Sequence, residues 1–179
     1  MIKSTENFDM VVMFDYTDRE DGKEELLGIE ELEQTLENVT PVLYIKETES
    51  IDVVLVELGT DSVEVANKIN NTPTKIISRV VPINTVVGTS QKSIINKIKE
   101  LSVDLTKPND TFLIKCYEEN KNNINCQKIR KHVMNEFINM DLTFSEKNPK
   151  WVVYIEIIGE NTGLSILESS DFNENNPIN

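Results

Sequence analysis

Residues 148–167, NPKWVVYIEIIGENTGLSIL, constrain the fold more than any other stretch. Side chains of an extended chain alternate between two faces. Trp151, Val153, Ile155 and Ile157 therefore make a fully apolar face, and Val152, Tyr154, Glu156 and Ile158 a mixed one. Residues 159–163 are polar and end in glycine, which predicts a hairpin loop, and Leu164 to Leu167 read as the returning strand. Nothing in this hairpin is chemically reactive. It is the framework of a small α/β unit.

The first part of the chain has its own pattern. Phe8, Met10, Val12, Phe14 and Tyr16 alternate with Asp9 and Asp15, which predicts a strand. Asp21 with Glu24 reads as a capping box, and Ile29, Leu32, Leu36 and Val39 follow at helical spacing, so residues 23–38 are expected to form an amphipathic helix ended by Pro41. Strands are expected over 42–46 and 51–58. Asp61 and Glu64 repeat the cap before a short helix burying Val65, Ala66 and Ile69; Pro73 closes it, and 75–81 read as a strand. The order β-α-β-β-α-β predicts the split βαβ, or ferredoxin-like, arrangement: a four-stranded antiparallel sheet with both helices on one face.

Residues 82–89 read as a connector. Ser90 caps a helix with Ile94, Ile98, Leu101 and Leu105 on one stripe. A turn at Pro108, Asn109 and Asp110 leads into a strand over 111–117, then a polar loop over 118–123. Asn125 caps a helix that faces Ile129, Val133, Phe137 and Met140 inward, and residues 142–147 lead into the hairpin. The expected class is α+β in two domains, a ferredoxin-like domain over 1–82 and a second α/β domain over 83–171, with a flexible tail over 172–179.

The net charge of -13 argues at first against a polyanionic partner. Its distribution does not. Residues 1–74 hold 5 Lys+Arg against 18 Asp+Glu, whereas 75–150 hold 13 against 8. Such asymmetry suggests modules with different neighbours. Cys116, Cys126 and the single His132 cannot fill a zinc site without carboxylates, so two reduced thiols are expected. No run of eighteen apolar residues and no leader are seen, which predicts a cytoplasmic protein. Gly88 to Ser93, GTSQKS, lacks the glycine before lysine of a phosphate loop, and the acidic stretch from Asp15 to Gly22 misses calcium-loop spacing. No catalytic residue, metal site or cofactor is expected.

The strand TFLIKCY, the helix QKIRKHVMNEFI, the strand NPKWVVYIEII and the closing GLSIL resemble a THUMP domain over residues 111–167. The upstream RVVPINTVVGTSQKSIINKIKEL, with Arg79 and Pro82 in an R-x-x-P pattern, is similar to one subgroup. That subgroup comprises stand-alone adaptors for cytidine acetylation in tRNA. The resemblance implies a THUMP-like domain that grips the acceptor end of tRNA and a separate RNA acetyltransferase as partner.

Lysine and arginine neutralise phosphates and release counterions, so cations carry affinity for RNA. The candidate RNA-binding residues are Arg79, Lys115, Lys121, Lys128, Arg130, Lys131, Lys147, Asn148 and Lys150. Tyr117, Tyr154 and Trp151 are the aromatics suited to stacking on unpaired bases, with Trp151 better placed for the core. The expected function is a non-catalytic tRNA-binding adaptor. The alternatives are a tRNA-modifying enzyme with an unrecognised active site, or a protein-interaction module using the acidic first domain.

Overall fold

The structure is a computed structural model and describes residues 7–16, 24–38, 42–119 and 124–172. Two compact units divide between Ile83 and Asn84. The expected cap residue Asp21, the stripe residue Val39 and the tail beyond Phe172 lie outside the described residues.

Unit 1 contains β1 (Met10–Phe14), α1 (Glu24–Leu36), β2 (Val42–Glu47), β3 (Val53–Leu58), α2 (Ser62–Asn70) and β4 (Ile77–Pro82). The sheet order is β2-β3-β1-β4, and every pairing is antiparallel. Met10, Val12 and Phe14 of β1 and Val54 and Val56 of β3 share one core with Leu32 and Leu36 of α1 and Val65, Ala66 and Ile69 of α2. Both helices therefore cover the same face. Asp61 caps α2 as its sequence predicts, its carboxylate accepting from the Glu64 amide at 2.9 Å. Helix α1 approaches β1 closely at Gly28, where a Cβ would lie 3.1 Å from the Phe14 ring. Glu31 of α1 accepts three backbone N–H groups at the start of β4, from Lys75, Ile76 and Ile77 at 2.6, 2.8 and 2.9 Å.

Unit 2 contains β5 (Thr85–Gly88), α3 (Gln91–Leu105), β6 (Thr111–Glu119), α4 (Cys126–Asn139), β7 (Thr143–Phe144), β8 (Trp151–Ile158) and β9 (Asn161–Glu168). The sheet order is β5-β9-β8-β6-β7. β6 pairs parallel with β7 and β8, and β9 pairs antiparallel with β8 and β5. α4 is the crossover between the parallel strands β6 and β8. Ile94 and Ile98 of α3 and Ile129, Val133 and Phe137 of α4 pack on Phe112, Ile114, Trp151, Val153, Ile155 and Ile157. Ser90 and Asn125 cap α3 and α4 as expected.

Four expectations need correction. Residues 82–89 are not a plain connector: Thr85–Gly88 is an edge strand on β9, drawn in by main-chain pairing that its short sequence does not signal. The hairpin loop shrinks to Gly159 and Glu160, with Gly159 at φ 57, and Asn161 already pairs with Ile158. Leu105 is 41% exposed, because the buried stripe of α3 continues through Ser102, whose hydroxyl bonds back to the Lys99 carbonyl at 2.8 Å. Cys116 and Cys126 are joined in a disulfide, with Cα atoms 5.8 Å apart. Cys116 near the end of β6 and Cys126 at the start of α4 lie side by side, a closeness that spacing alone does not reveal.

Candidate nucleic-acid interface

The parallel pairing of β6 and β8 decides where the cations of unit 2 stand. The crossover leaves β6 at its C-terminal end, and α4 then returns to the N-terminal ends of both strands. Hydrogen bonds fix that return: the Asn109 amide donates to the Asp141 carbonyl and the Thr143 amide to the Asp110 carbonyl, at 2.8 and 2.9 Å. The Lys150 amide donates to the carbonyl and hydroxyl of Thr111, at 3.1 and 2.9 Å. The loop carrying Lys147, Asn148 and Lys150 is thus at the C-terminal end of α4. Lys128 and Lys131 are near its N-terminus. At 1.5 Å per residue they stand about 13 to 18 Å further along the axis. The cations form two groups, one at each end of the helix.

The first group is open. Lys128, Arg130 and Lys131 are exposed, as is His132, while Ile129, Val133 and Phe137 are buried at i, i+4 and i+8. The Asn125 side chain accepts from the amides of Gln127 and Lys128 at 2.8 and 3.3 Å, which fixes the first turn. No carboxylate among the described residues pairs with Lys128, Arg130 or Lys131. Lys121 lies outside the described residues.

The second group is divided. Lys147 and Asn148 are exposed at a loop tip, Asn148 with φ 50. Lys147 has no ion-pair partner among the described residues. Its carbonyl accepts from the Ser145 hydroxyl at 2.8 Å, and the Ser169 hydroxyl donates to the Pro149 carbonyl, so the loop is held from two sides. Lys150 differs. Its ammonium bonds both oxygens of Asp110, at 3.0 and 3.1 Å, and lies 5.4 Å from the centre of the Trp151 ring. Asp110 also accepts from the Trp151 indole N–H at 2.9 Å and the Lys107 amide at 3.0 Å. The indole bond first, then the Lys107 amide and Lys150, hold its carboxyl at about 2 against the opposing effect of burial. Asp110 is therefore charged throughout the neutral range, and Lys150 is already neutralised.

The remaining candidates sit elsewhere. Lys115 is half-buried on β6, beside Tyr154 in register and on the face of Tyr117. Arg79 is half-buried on β4 of unit 1, where its guanidinium approaches the Met13 sulfur. Tyr117 is half-buried, and the other two aromatics are not free for stacking on bases. Trp151 is 7% exposed and belongs to the core. Tyr154 is fully buried against Tyr117 and Phe172 and donates to the buried Glu156. The site that sequence reasoning missed is Asp110, whose only local signal is its place in a turn.

Among the described residues no group of three His, Cys, Asp or Glu is placed to hold a metal, and no helix is long and apolar enough to cross a membrane.

Comparison with known proteins bears on the same unit. Three solved structures share the fold. PH1313 from Pyrococcus horikoshii Ot3 is 15% identical, with a TM-score of 0.65 over 90% of this chain and 55% of its own. A 4-thiouridine synthetase solved as an RNA complex with bound ATP is 15% identical, with a TM-score of 0.57 over 90% of this chain and 42% of its own. TrmN from Thermus thermophilus is 14% identical, with a TM-score of 0.54 over 88% of this chain and 44% of its own. The chain thus spans between 42% and 55% of the length of these three. The sequence matches no curated protein. The model of the THUMP domain matches residues 89–167, from the end of β5 through β9. Those residues, which carry the whole of α4 and the loop before β8, are a THUMP domain.

Proposed function

We propose that this protein binds tRNA at its acceptor end through unit 2 and presents it, in the cytoplasm, to a separate modifying enzyme, a cytidine acetyltransferase. The observation that carries the reading is the set of exposed cations on the THUMP domain that have no acidic partner among the described residues: Lys128, Arg130, Lys131 and Lys147. Phosphate contacts need this, since a lysine already paired releases no counterion. The occurrence of the same fold in a 4-thiouridine synthetase solved with RNA supports an RNA ligand. In unit 1, the strand order β2-β3-β1-β4 with both helices on one face supports a ferredoxin-like domain. Its acidic composition suits contact with the enzyme rather than with tRNA. An adaptor acts by positioning: holding the target nucleoside near another active site removes the entropic cost of encounter.

The test is a binding titration of unmodified tRNA across salt concentrations. Four contacts give a slope of about -3 in log K against log salt, at roughly 0.7 to 0.9 per phosphate. Absence of binding, or binding indifferent to salt, refutes the RNA reading. Acetylation of tRNA by this protein alone, given acetyl-coenzyme A and ATP, refutes the adaptor reading.

A further inference from the structure

We propose that Cys116 and Cys126 are a thiol–disulfide exchange site, served by a dithiol reductant, whose state governs how firmly the first turn of α4 is held to β6. The bond joins the sixth residue of one element to the first residue of another: Cys116 lies within β6 and Cys126 opens α4. Both cysteines are half-buried, so solvent reaches the pair. Both also lie at the margin of the core rather than within it.

Two observations separate this bond from a structural staple. First, unit 2 does not need it. Phe112 and Ile114 of β6 already pack with Ile129, Val133 and Phe137 of α4, and Asn125 caps the helix independently. Reduction should therefore act locally and leave the unit folded. Second, the position favours exchange. Cys126 is at a helix N-terminus, where the helix dipole favours negative charge on the departing sulfur. Disulfides in the cytoplasm are mostly transient or redox-sensing. That last point rests on the compartment in the proposed function; the geometry does not.

The exchange balances as follows. A thiolate of the reductant attacks the Cys116 Sγ, the Sγ–Sγ bond breaks, and the electron pair leaves on the Cys126 Sγ, which takes up a proton. The second thiolate of the reductant attacks the mixed disulfide, closes the reductant's own disulfide and releases the Cys116 Sγ, which takes up the second proton. The protein gains two electrons and two protons, and the dithiol loses them. The consequence falls on Lys128, which stands within the turn that Cys126 anchors, and on Lys131 in the turn that follows.

The experiment uses the full chain before and after dithiothreitol, with thiols trapped by iodoacetamide and backbone hydrogen exchange read by residue. The expected result is no alkylation before reduction and two alkyl groups after it. Exchange at the amides of Ile129 and Arg130 should quicken by about tenfold or more, while amides in β8 stay unchanged. Oxidised glutathione should restore both readings. Thiols that alkylate without reductant, a bond that resists dithiothreitol in the folded protein, or unchanged exchange in the first turn of α4 would each overturn the proposal. Cys116→Ser should reproduce the reduced exchange pattern without reductant. Binding of tRNA is measured in the same two states and should weaken on reduction. If neither state binds tRNA, the RNA reading fails, and the exchange measurement still decides the redox proposal.

Discussion

Glu31 is the residue through which α1 holds the start of β4, and removing its carboxylate has a calculable cost. The two oxygens accept from the amides of Lys75, Ile76 and Ile77, 44 to 46 residues away. Lys75 is exposed, so its amide can turn to water, whereas the bonds from Ile76 and Ile77 are part-buried. A hydrogen bond to a charged group contributes about 1.5 to 3 kcal/mol, and a buried donor left unmatched costs about 1 to 3 kcal/mol. Counting the two sheltered amides and discounting the third, Glu31→Ala should destabilise unit 1 by about 2 to 4 kcal/mol. With a urea dependence near 1 to 1.5 kcal/mol per molar for a unit this small, the midpoint should fall by roughly 2 M. Glu31→Gln keeps one acceptor and should lose about half as much. The assay is far-UV circular dichroism in urea, paired with hydrogen exchange at the amides of Lys75, Ile76 and Ile77, which should become the fastest in β4 and its approach. A midpoint within about 0.3 M of wild type, with those amides still protected, would refute the argument that this carboxylate secures the strand.

Three further outcomes follow from the same geometry. Lys128→Glu with Lys131→Glu should weaken tRNA binding and flatten the salt slope by about 1.4 to 1.8, whereas Lys150→Gln should barely move it and Asp110→Asn should steepen it by nearly one contact; filter binding across salt separates these cases. Asp110, held at about 2 rather than its ordinary 3.8, contributes stability that is complete above pH 3.8 and is lost as pH falls through about 2. The single tryptophan, Trp151, reports this directly: its fluorescence should change with a midpoint near pH 2, and Asp110→Asn should abolish that step. Gly28→Ala would set a methyl 3.1 Å from the Phe14 ring and should cost about 1 to 3 kcal/mol, read as a lowered thermal midpoint.

What was legible in the sequence was local. The apolar alternation of Trp151 to Ile158, the spacing of Ile129, Val133 and Phe137, and the caps at Asp61, Ser90 and Asn125 each depend on neighbours within one or two turns, and each forms as its pattern predicts. Where the outcome depends on distant pairing, the sequence is silent. Thr85–Gly88 becomes a strand only because β9 offers it an edge. Lys150 reads as a free cation until Asp110, forty positions earlier, is seen to neutralise it. Cys116 and Cys126 read as ordinary thiols until the start of α4 is seen beside β6. The mixed face of β8 is as buried as the apolar one, which period-two spacing cannot foresee, since Tyr154 and Glu156 find each other there.

The parallel course of β6 and β8 has one last effect, on the size of ligand this surface can reward. Because α4 must travel the full length of the sheet before the chain re-enters it, no single phosphate can touch both Lys131 and Lys147. An oligonucleotide too short to bridge the helix engages one end and gains only that share of the attraction. Affinity should therefore climb in a step, not a smooth rise, as the strand is lengthened past about 13 to 18 Å.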